Sequence, residues 1–189
     1  MTQKNFSGFL IDDDPAANES AKRFSGERIA LTFREPENLE EFASEILEAR
    51  PDIVILDYRL DQRAGASGVP ARYKASALAQ QLRDLAGEAT SQGNGIDFPI
   101  VLHSAEPNIR EFYRPEKTAH DLFDDVIIKG VNKRDDDIQA RLLGLATGYQ
   151  LLIELRPYSE NLTKLFGLKT DQEDLIDVQE ISEAALTAI

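Results

Sequence analysis

Residues whose side chains can bind ions or take part in reactions lie at the ends of four apolar runs in this sequence. They are Asp12 and Asp13, Asp57, Ser104 and Lys129. A single aspartate at the end of an apolar run is more often a helix cap or a turn residue than a functional group. Four such endings in one chain are much harder to obtain by accident. We therefore treat these residues as one candidate site.

The chemistry that these residue types support is the binding and transfer of a phosphoryl group. Carboxylates that are held together raise one another's pKa, and a hard divalent cation such as Mg²⁺ removes that repulsion. Asp57 is then a carboxylate nucleophile that is able to form an acyl phosphate. The ammonium of Lys129 would neutralise phosphoryl oxygens, and the hydroxyl of Ser104 would donate a hydrogen bond to one of them.

For these residues to meet, the apolar runs must be neighbouring strands of one sheet. The patterns predict strands at residues 9–11, 28–35, 53–56, 98–106 and 125–130. Helical patterns lie between and after them, at residues 15–24, 36–50, 71–89, 108–123 and 135–157. Asp14 is predicted to cap the first helix, with Pro15 at its first position. This alternation predicts an α/β fold with a doubly wound parallel sheet, whose strands carry the binding crevice at their carboxyl ends.

Four segments of the sequence resemble the signature segments of a response-regulator receiver domain. They are "GFLIDDDPAAN", "PDIVILDYRL", "PIVLHSAE" and "DDVIIKG", and the resemblance runs from about Asn5 to about Pro157. It implies a five-stranded sheet of the flavodoxin-like order 2-1-3-4-5. It also implies a role for each candidate residue. Asp57 would be the phosphoacceptor and, together with Asp12, Asp13 and the Arg59 backbone carbonyl, a Mg²⁺ ligand. Ser104 would be the hydroxyl that moves toward the phosphoryl group, and Lys129 its ion-pair partner.

The function that this resemblance implies is phosphotransfer in two-component signalling. The donor would be a phosphohistidine on a sensor histidine kinase or phosphotransfer protein, and the response would be a shift in the face formed by the fourth and fifth helices. Four features depart from the family: Val126 replaces the usual aromatic residue, Gly130 replaces the usual proline, and both the loop after Asp57 and the stretch from Ser104 to Lys129 are longer. These departures keep a second interpretation open, in which the chain is a receiver that is not phosphorylated and acts as a protein-interaction module.

A different class of enzyme fits part of the pattern. Asp12 and Asp14 form the Asp-x-Asp that follows the first strand of haloacid-dehalogenase-like phosphatases. However, Ala16 stands where that family favours Thr or Val, and this interpretation leaves Asp57 unexplained. We therefore expect a protein that is not an enzyme, beyond at most its own phosphorylation and dephosphorylation. His103 is expected to pack or to cap rather than to bind a ligand.

Composition limits the partners of the chain. Its net charge of −13 opposes direct binding to nucleic acid, because phosphate backbones repel an acidic surface. It contains no cysteine, which excludes disulfides and thiolate chemistry, and no apolar run approaches the length of a membrane span. We expect a cytoplasmic protein that does not associate with membranes.

The predicted domain organisation is a receiver-like domain at residues 1–157 and a helical extension or linker at residues 158–189. Within the second part, Thr170–Glu173 reads as a capping box that opens a helix. Because the chain ends inside an apolar pattern, we expect it to be part of a longer protein with an output domain. The apolar stripe of the last long helix and the tail helix are candidates for a homodimer or interdomain contact.

Overall fold

Five parallel strands form a single sheet. They are β1 (Phe6–Ile11), β2 (Ile29–Arg34), β3 (Ile53–Leu56), β4 (Ile100–Ala105) and β5 (Asp125–Lys129). Their order is β2-β1-β3-β4-β5, which confirms the predicted doubly wound sheet and its 2-1-3-4-5 order. The structure is a computed structural model and describes residues 4–64, 68–91, 96–105, 107, 122–130 and 134–155.

The central strand β3 is apolar along its whole length because it is buried between two neighbouring strands and covered by side chains on both faces of the sheet. All four of its residues are fully buried. It pairs with β1 through Gly8↔Ile53 to Ile11↔Leu56 and with β4 on its other edge. The approach of β1 is so close that a Cβ atom on Gly8 would lie 2.2 Å from the Ile53 carbonyl oxygen. A glycine is therefore required where these two strands meet.

Four helices follow strands of this sheet within the described residues. They are α1 (Asn18–Phe24), α2 (Leu39–Glu48), α3 (Ala75–Ser91) and α4 (Asp135–Glu154). Helix α2 begins where Asn38 accepts hydrogen bonds from the backbone N–H groups of Glu40 and Glu41. Its buried residues Phe42 and Ile46 lie one turn apart, so a single apolar face packs toward the sheet.

The helices divide the core into two layers, one on each face of the sheet. The first layer joins α2 and α3 to the sheet and contains Phe42, Ile46, Leu56, Leu78, Leu82 and Leu102, among others. The second joins α1 and the first part of α4 to the opposite face and contains Leu10, Phe24, Ile55, Val101, Ile127 and Leu142, among others. Burial on both faces accounts for strands that read as continuous apolar runs.

Three predicted helix starts differ from the structure. Helix α2 begins at Leu39 rather than at residue 36. Residues Pro15–Ala17 form a 3₁₀ turn that Asp14 caps, and the α-helix begins only at Asn18. Helix α3 begins at Ala75 rather than at residue 71, so Tyr73 is not on the helix. Instead, the Tyr73 hydroxyl donates to the Glu37 carbonyl at 2.9 Å, and the Ala75 N–H donates to the Tyr58 carbonyl at 3.1 Å. These contacts fix the end of the long β3–α3 loop before the helix starts.

Part of the sequence predictions falls outside the described residues. This applies to most of the region predicted as irregularly helical between β4 and β5, and to the whole tail at 158–189. The chain divides into two compact units, residues 1–147 and 148–189. Within the described ranges, no helix combines the length and apolarity that a membrane crossing requires.

Candidate functional site

The carboxyl ends of four strands bring the predicted polar residues together. Lys129 is the last residue of β5. Its Nζ lies 2.7 Å from Oδ2 of Asp12, which follows β1, and 2.7 Å from Oδ1 of Asp57, which follows β3. Ser104, on β4, donates its hydroxyl to Asp57 Oδ1 at 3.1 Å. Parallel strands end at the same edge of a sheet, so residues far apart in sequence meet in one crevice.

Asp57 is held on both of its carboxylate oxygens. Oδ1 accepts from Ser104 and Lys129, and Oδ2 accepts from the backbone N–H of Arg59 at 2.8 Å. Asp57 is 6% exposed and Ser104 is fully buried. Buried polar groups require hydrogen-bond partners, and these three donors supply them for Asp57.

Asp13 has partners that the sequence did not reveal. Its Oδ2 accepts two backbone N–H groups, from Gln62 and Arg63, both at 2.7 Å. The Arg63 guanidinium also lies 2.5 Å from Oδ1 of Asp14. The long loop after β3, which is the part of the sequence least like the family, therefore folds back over the acidic residues. The only sequence signal for this was the extra length of that loop.

Burial and neighbouring charges have opposite effects on the pKa values of Asp12 and Lys129. Burial raises the pKa of Asp12, and the nearby Lys129 ammonium only partly offsets that effect. Burial alone would lower the pKa of Lys129, but the Asp57 and Asp12 carboxylates outweigh it and raise the pKa above the usual lysine value. Lys129 is therefore protonated at neutral pH and serves as the internal counter-charge of the carboxylates.

The acidic residues have the donor chemistry that Mg²⁺ prefers. Asp12, Asp13 and Asp57 are all buried, and each offers a carboxylate oxygen that lies within 4.8 Å of those of the other two. Hard oxygen ligands with room for water are typical of magnesium sites. The donor set thus fits the predicted cation. The fourth predicted ligand, the Arg59 carbonyl, stays a prediction. The Arg59 side chain pairs with Asp61 at 2.7 Å.

His103 lies on β4 beside Ser104 and packs in the core, as expected. Its ring meets the Phe24 ring edge-on at a centroid distance of 5.2 Å. The side chain is 5% exposed, and Nδ1 has no hydrogen-bond partner within the described residues. Burial, together with the nearby Lys129 ammonium, lowers the pKa of His103 to about 4. The imidazole is therefore neutral at physiological pH.

The backbone after Lys129 has a conformation that proline cannot adopt. Gly130 has φ of +79°, in the left-handed region that glycine enters at little cost, whereas the proline ring fixes φ near −65°. The predicted difference in the shape of this loop is thus consistent with the replacement of the family's proline. Val126, at the position of the missing aromatic residue, is half-buried and packs against the first core layer.

Comparison with known proteins identifies the fold. No family model matches the sequence, and no curated protein matches it. The signal receiver domain of a protein described as a LuxO repressor from Vibrio parahaemolyticus is 12% identical with a TM-score of 0.52, and the match covers 80% of this chain and 98% of that chain. NtrX from Brucella abortus is 18% identical with a TM-score of 0.55, over 80% of this chain and 30% of that one. A response regulator receiver domain (CheY-like) from Methylobacillus flagellatus is 18% identical with a TM-score of 0.50, over 75% and 99%.

These likenesses agree with the observed architecture of the sheet. The chain has the fold of response-regulator receiver domains, which confirms the predicted resemblance at the level of the fold. At 12–18% identity the matches concern architecture. What the site does must be argued from its own residues.

Proposed function

We propose that this chain is a phosphoacceptor receiver of a two-component system. A phosphoryl group would pass from a phosphohistidine of a sensor histidine kinase or phosphotransfer protein to Asp57, and the product would regulate an output domain or a partner protein. Receiver domains are signalling modules, and any catalytic activity here would be limited to the chain's own phosphorylation and dephosphorylation. We place this reaction in the cytoplasm, where such phosphodonors act.

The position of the Lys129 ammonium is the observation that supports this proposal most strongly. It lies 2.7 Å from both Asp12 and Asp57, and two of its three protons are used there. The third proton is suited to an oxygen of an incoming phosphoryl group. A turn aspartate or a helix cap has no need of a partly buried ammonium that spans two strand ends, so the interpretation of Asp57 as a mere turn or cap residue loses support.

The proposed transfer forms one bond and breaks another. A carboxylate oxygen of Asp57 bonds to phosphorus while the phosphorus–nitrogen bond to the donor histidine breaks, and its electron pair stays on the imidazole nitrogen. In the described contacts Oδ1 accepts two hydrogen bonds and Oδ2 accepts one, so Oδ2 retains a lone pair for the attack. The Ser104 hydroxyl is positioned to shift from the carboxylate to a phosphoryl oxygen.

Asp12, Asp13, Asp57 and the Arg59 carbonyl are the residues proposed to hold Mg²⁺. When bound, the cation supplies neutralisation of the phosphoryl charge. The protein residues hold the nucleophile in place and exclude water, since catalysis of phosphoryl transfer is mostly positioning and electrostatics. Asp14, the second carboxylate of the phosphatase interpretation, instead caps the turn after β1 and pairs with Arg63.

Intact-mass measurement tests the proposal directly. The protein is incubated with acetyl phosphate and Mg²⁺, and we expect a mass increase of one phosphoryl group. Asp57→Asn should abolish the adduct, whereas Asp84→Asn, which changes an exposed carboxylate on α3, should retain it. An adduct of equal yield in Asp57→Asn would place the phosphoryl group on another residue and contradict the proposal.

A second function is favoured by the departures near Lys129. Gly130 with its positive φ and Val126 in place of an aromatic residue both alter the segment through which receivers usually report phosphorylation. In this alternative the chain is a receiver-like interaction module whose Asp57 is not phosphorylated. Absence of any adduct in a folded, Mg²⁺-bound protein would favour it.

The proposal includes the domain organisation of the chain. Residues 1–157 would form the receiver, and residues 158–189 would extend toward an output domain or take part in a homodimer.

A further inference from the structure

The loop after β3 carries a short segment that lies across the acidic residues. We call residues Asp61–Ala64 the strap. Its first anchor is Arg59, whose Nε donates to Asp61 Oδ1 at 2.7 Å. Its last residue forms an isolated antiparallel bridge with Pro70, farther along the same loop. The strap is therefore fixed at both ends, and its middle residues, Gln62 and Arg63, contact another part of the chain.

The middle of the strap is bound to Asp13. The backbone N–H groups of Gln62 and Arg63 both donate to the same oxygen, Oδ2, at 2.7 Å each. A carboxylate oxygen has two lone pairs in its plane, and these two donors use both. Hydrogen bonds to a charged acceptor are about twice as strong as neutral ones. The strap thus occupies one complete oxygen of a proposed cation ligand.

The positive charge of Arg63 also draws the strap toward the acidic residues. The Arg63 guanidinium reaches Asp14, the residue next to Asp13, and so brings a positive charge to the acidic residues. That ion pair is exposed, with 57% of the Arg63 side chain and 39% of the Asp14 side chain accessible, so its contribution is small. The two backbone bonds to Asp13 are therefore the main interaction of the strap.

We propose that the strap and a divalent cation compete for Asp13, so that closing the strap lowers the cation affinity of the site and cation binding releases the strap. This inference rests on the cation site of the proposed function and adds to it a loop whose conformation reports occupancy. The coupling is reciprocal, because each partner weakens the other by the same factor. The strap is a positioning element and does not touch the reacting atoms.

The size of the coupling follows from the fraction of molecules with an open strap. If closing is favoured about tenfold, about one molecule in eleven is open, and the apparent affinity for the cation falls by about the same factor. A tenfold change corresponds to about 1.4 kcal/mol. Two charge-assisted hydrogen bonds easily supply that difference, so a tenfold effect is a modest expectation.

The first test follows the two amide protons in the wild-type protein. Hydrogen exchange is measured by NMR for Gln62 and Arg63, with and without saturating Mg²⁺. We expect exchange to become about tenfold faster with Mg²⁺. The amide of Ile100 is the control, because it donates to the Asp124 carboxylate at 2.7 Å, away from the site. Unchanged protection of Gln62 and Arg63 at saturating Mg²⁺ would overturn the inference.

The second test removes the strap's hold on Asp13. Arg63→Pro lacks both the backbone N–H and the guanidinium, whereas Arg63→Ala lacks only the guanidinium. Calorimetric titration with Mg²⁺ should show about tenfold tighter binding for Arg63→Pro and about twofold for Arg63→Ala. Arg72→Ala, which removes an exposed arginine of the same loop outside the strap, should bind as the wild type does. Weaker or unchanged binding by folded Arg63→Pro would mean that the strap orients Asp13 for the cation or is irrelevant to it, and would overturn the inference.

The outcomes separate this inference from the proposed function. If Mg²⁺ binds the wild type and Asp57 is phosphorylated while the strap stays closed, only the competition is wrong. If neither the wild type nor Arg63→Pro binds Mg²⁺, the cation site itself is wrong and both proposals fall. If Arg63→Pro does not fold, the exchange measurement on the wild-type protein still decides the question.

Discussion

Neutral His103 makes the stability of the protein depend on pH in a defined window. Burial lowers the pKa of His103 to about 4 in the folded protein, against 6.5 in an unfolded chain. Between these values the unfolded chain binds the proton and the folded protein does not. The stability associated with neutral His103 is therefore fully present above pH 6.5 and is lost progressively as pH falls toward 4. At pH 5 the loss amounts to about 2 kcal/mol.

The groups around the imidazole explain why the shift is large. Desolvation is the main cause, and the ammonium of Lys129 and the guanidinium of Arg23 add to it by repelling a second positive charge. The Asp57 carboxylate acts in the opposite direction but does not compensate. The ring of Phe24 provides an apolar contact and no acceptor for a proton. Among the described residues, Nδ1 of His103 has no hydrogen-bond partner that could accept its proton.

Urea unfolding at pH 7.5 and pH 5.0, without divalent cations, measures the effect. The wild type should lose about 2 kcal/mol more than His103→Leu between the two pH values. Leucine fills a similar volume and cannot titrate, so the comparison isolates the imidazole. A His120→Gln variant gives the contribution of the other histidine. Equal pH dependence in the wild type and His103→Leu would refute the assignment of a depressed pKa to this residue.

Three further substitutions or additions have outcomes that the structure fixes. Gly8→Ala places a Cβ against the Ile53 carbonyl and should lower the free energy of unfolding in urea by at least about 2 kcal/mol. Gly144→Ala, in an open helical position, should raise it by about 0.5–1 kcal/mol. Equal effects of the two substitutions would contradict the close approach of β1 to β3. Lys129→Met leaves two buried carboxylates without their ammonium and should lower the free energy of unfolding by about 3 kcal/mol at pH 7.5. Part of this stability should return on acidification, because the carboxylates become protonated. A loss that does not depend on pH would contradict the ion pairs. Mg²⁺ at ten times its dissociation constant should stabilise the wild type by about 1.4 kcal/mol and raise its Tm, but Asp12→Asn should show little increase; an equal increase would remove Asp12 from the cation site.

The sheet was predictable because its determinants are local. The strands contain short apolar or alternating stretches with a break after them, and β3 was located to the residue, at Ile53–Leu56. The convergence of Asp12, Asp57, Ser104 and Lys129 was also predictable, since parallel strands place their carboxyl ends at one edge. What made this possible is that backbone pairing, rather than side-chain detail, decides where those residues meet.

The parts that escaped prediction depend on contacts between distant segments. The start of α3 at Ala75 reflects the bonds from Tyr73 to Glu37 and from Ala75 to Tyr58, which no local pattern encodes. The strap on Asp13 uses backbone N–H groups, which every residue except proline carries. A sequence gives no sign of which amides will be used in this way.

The ion pair between Asp12 and Lys129 has a consequence for the order in which the chain is made. The two residues are 117 positions apart. At a synthesis rate of about 5–20 residues per second, the ammonium follows Asp12 out of the ribosome after roughly 6–23 s. Until Lys129 is made, the carboxylates that follow β1 and β3 lack the charge that makes their burial favourable. The crevice therefore completes its own charge balance only after β5 has been made.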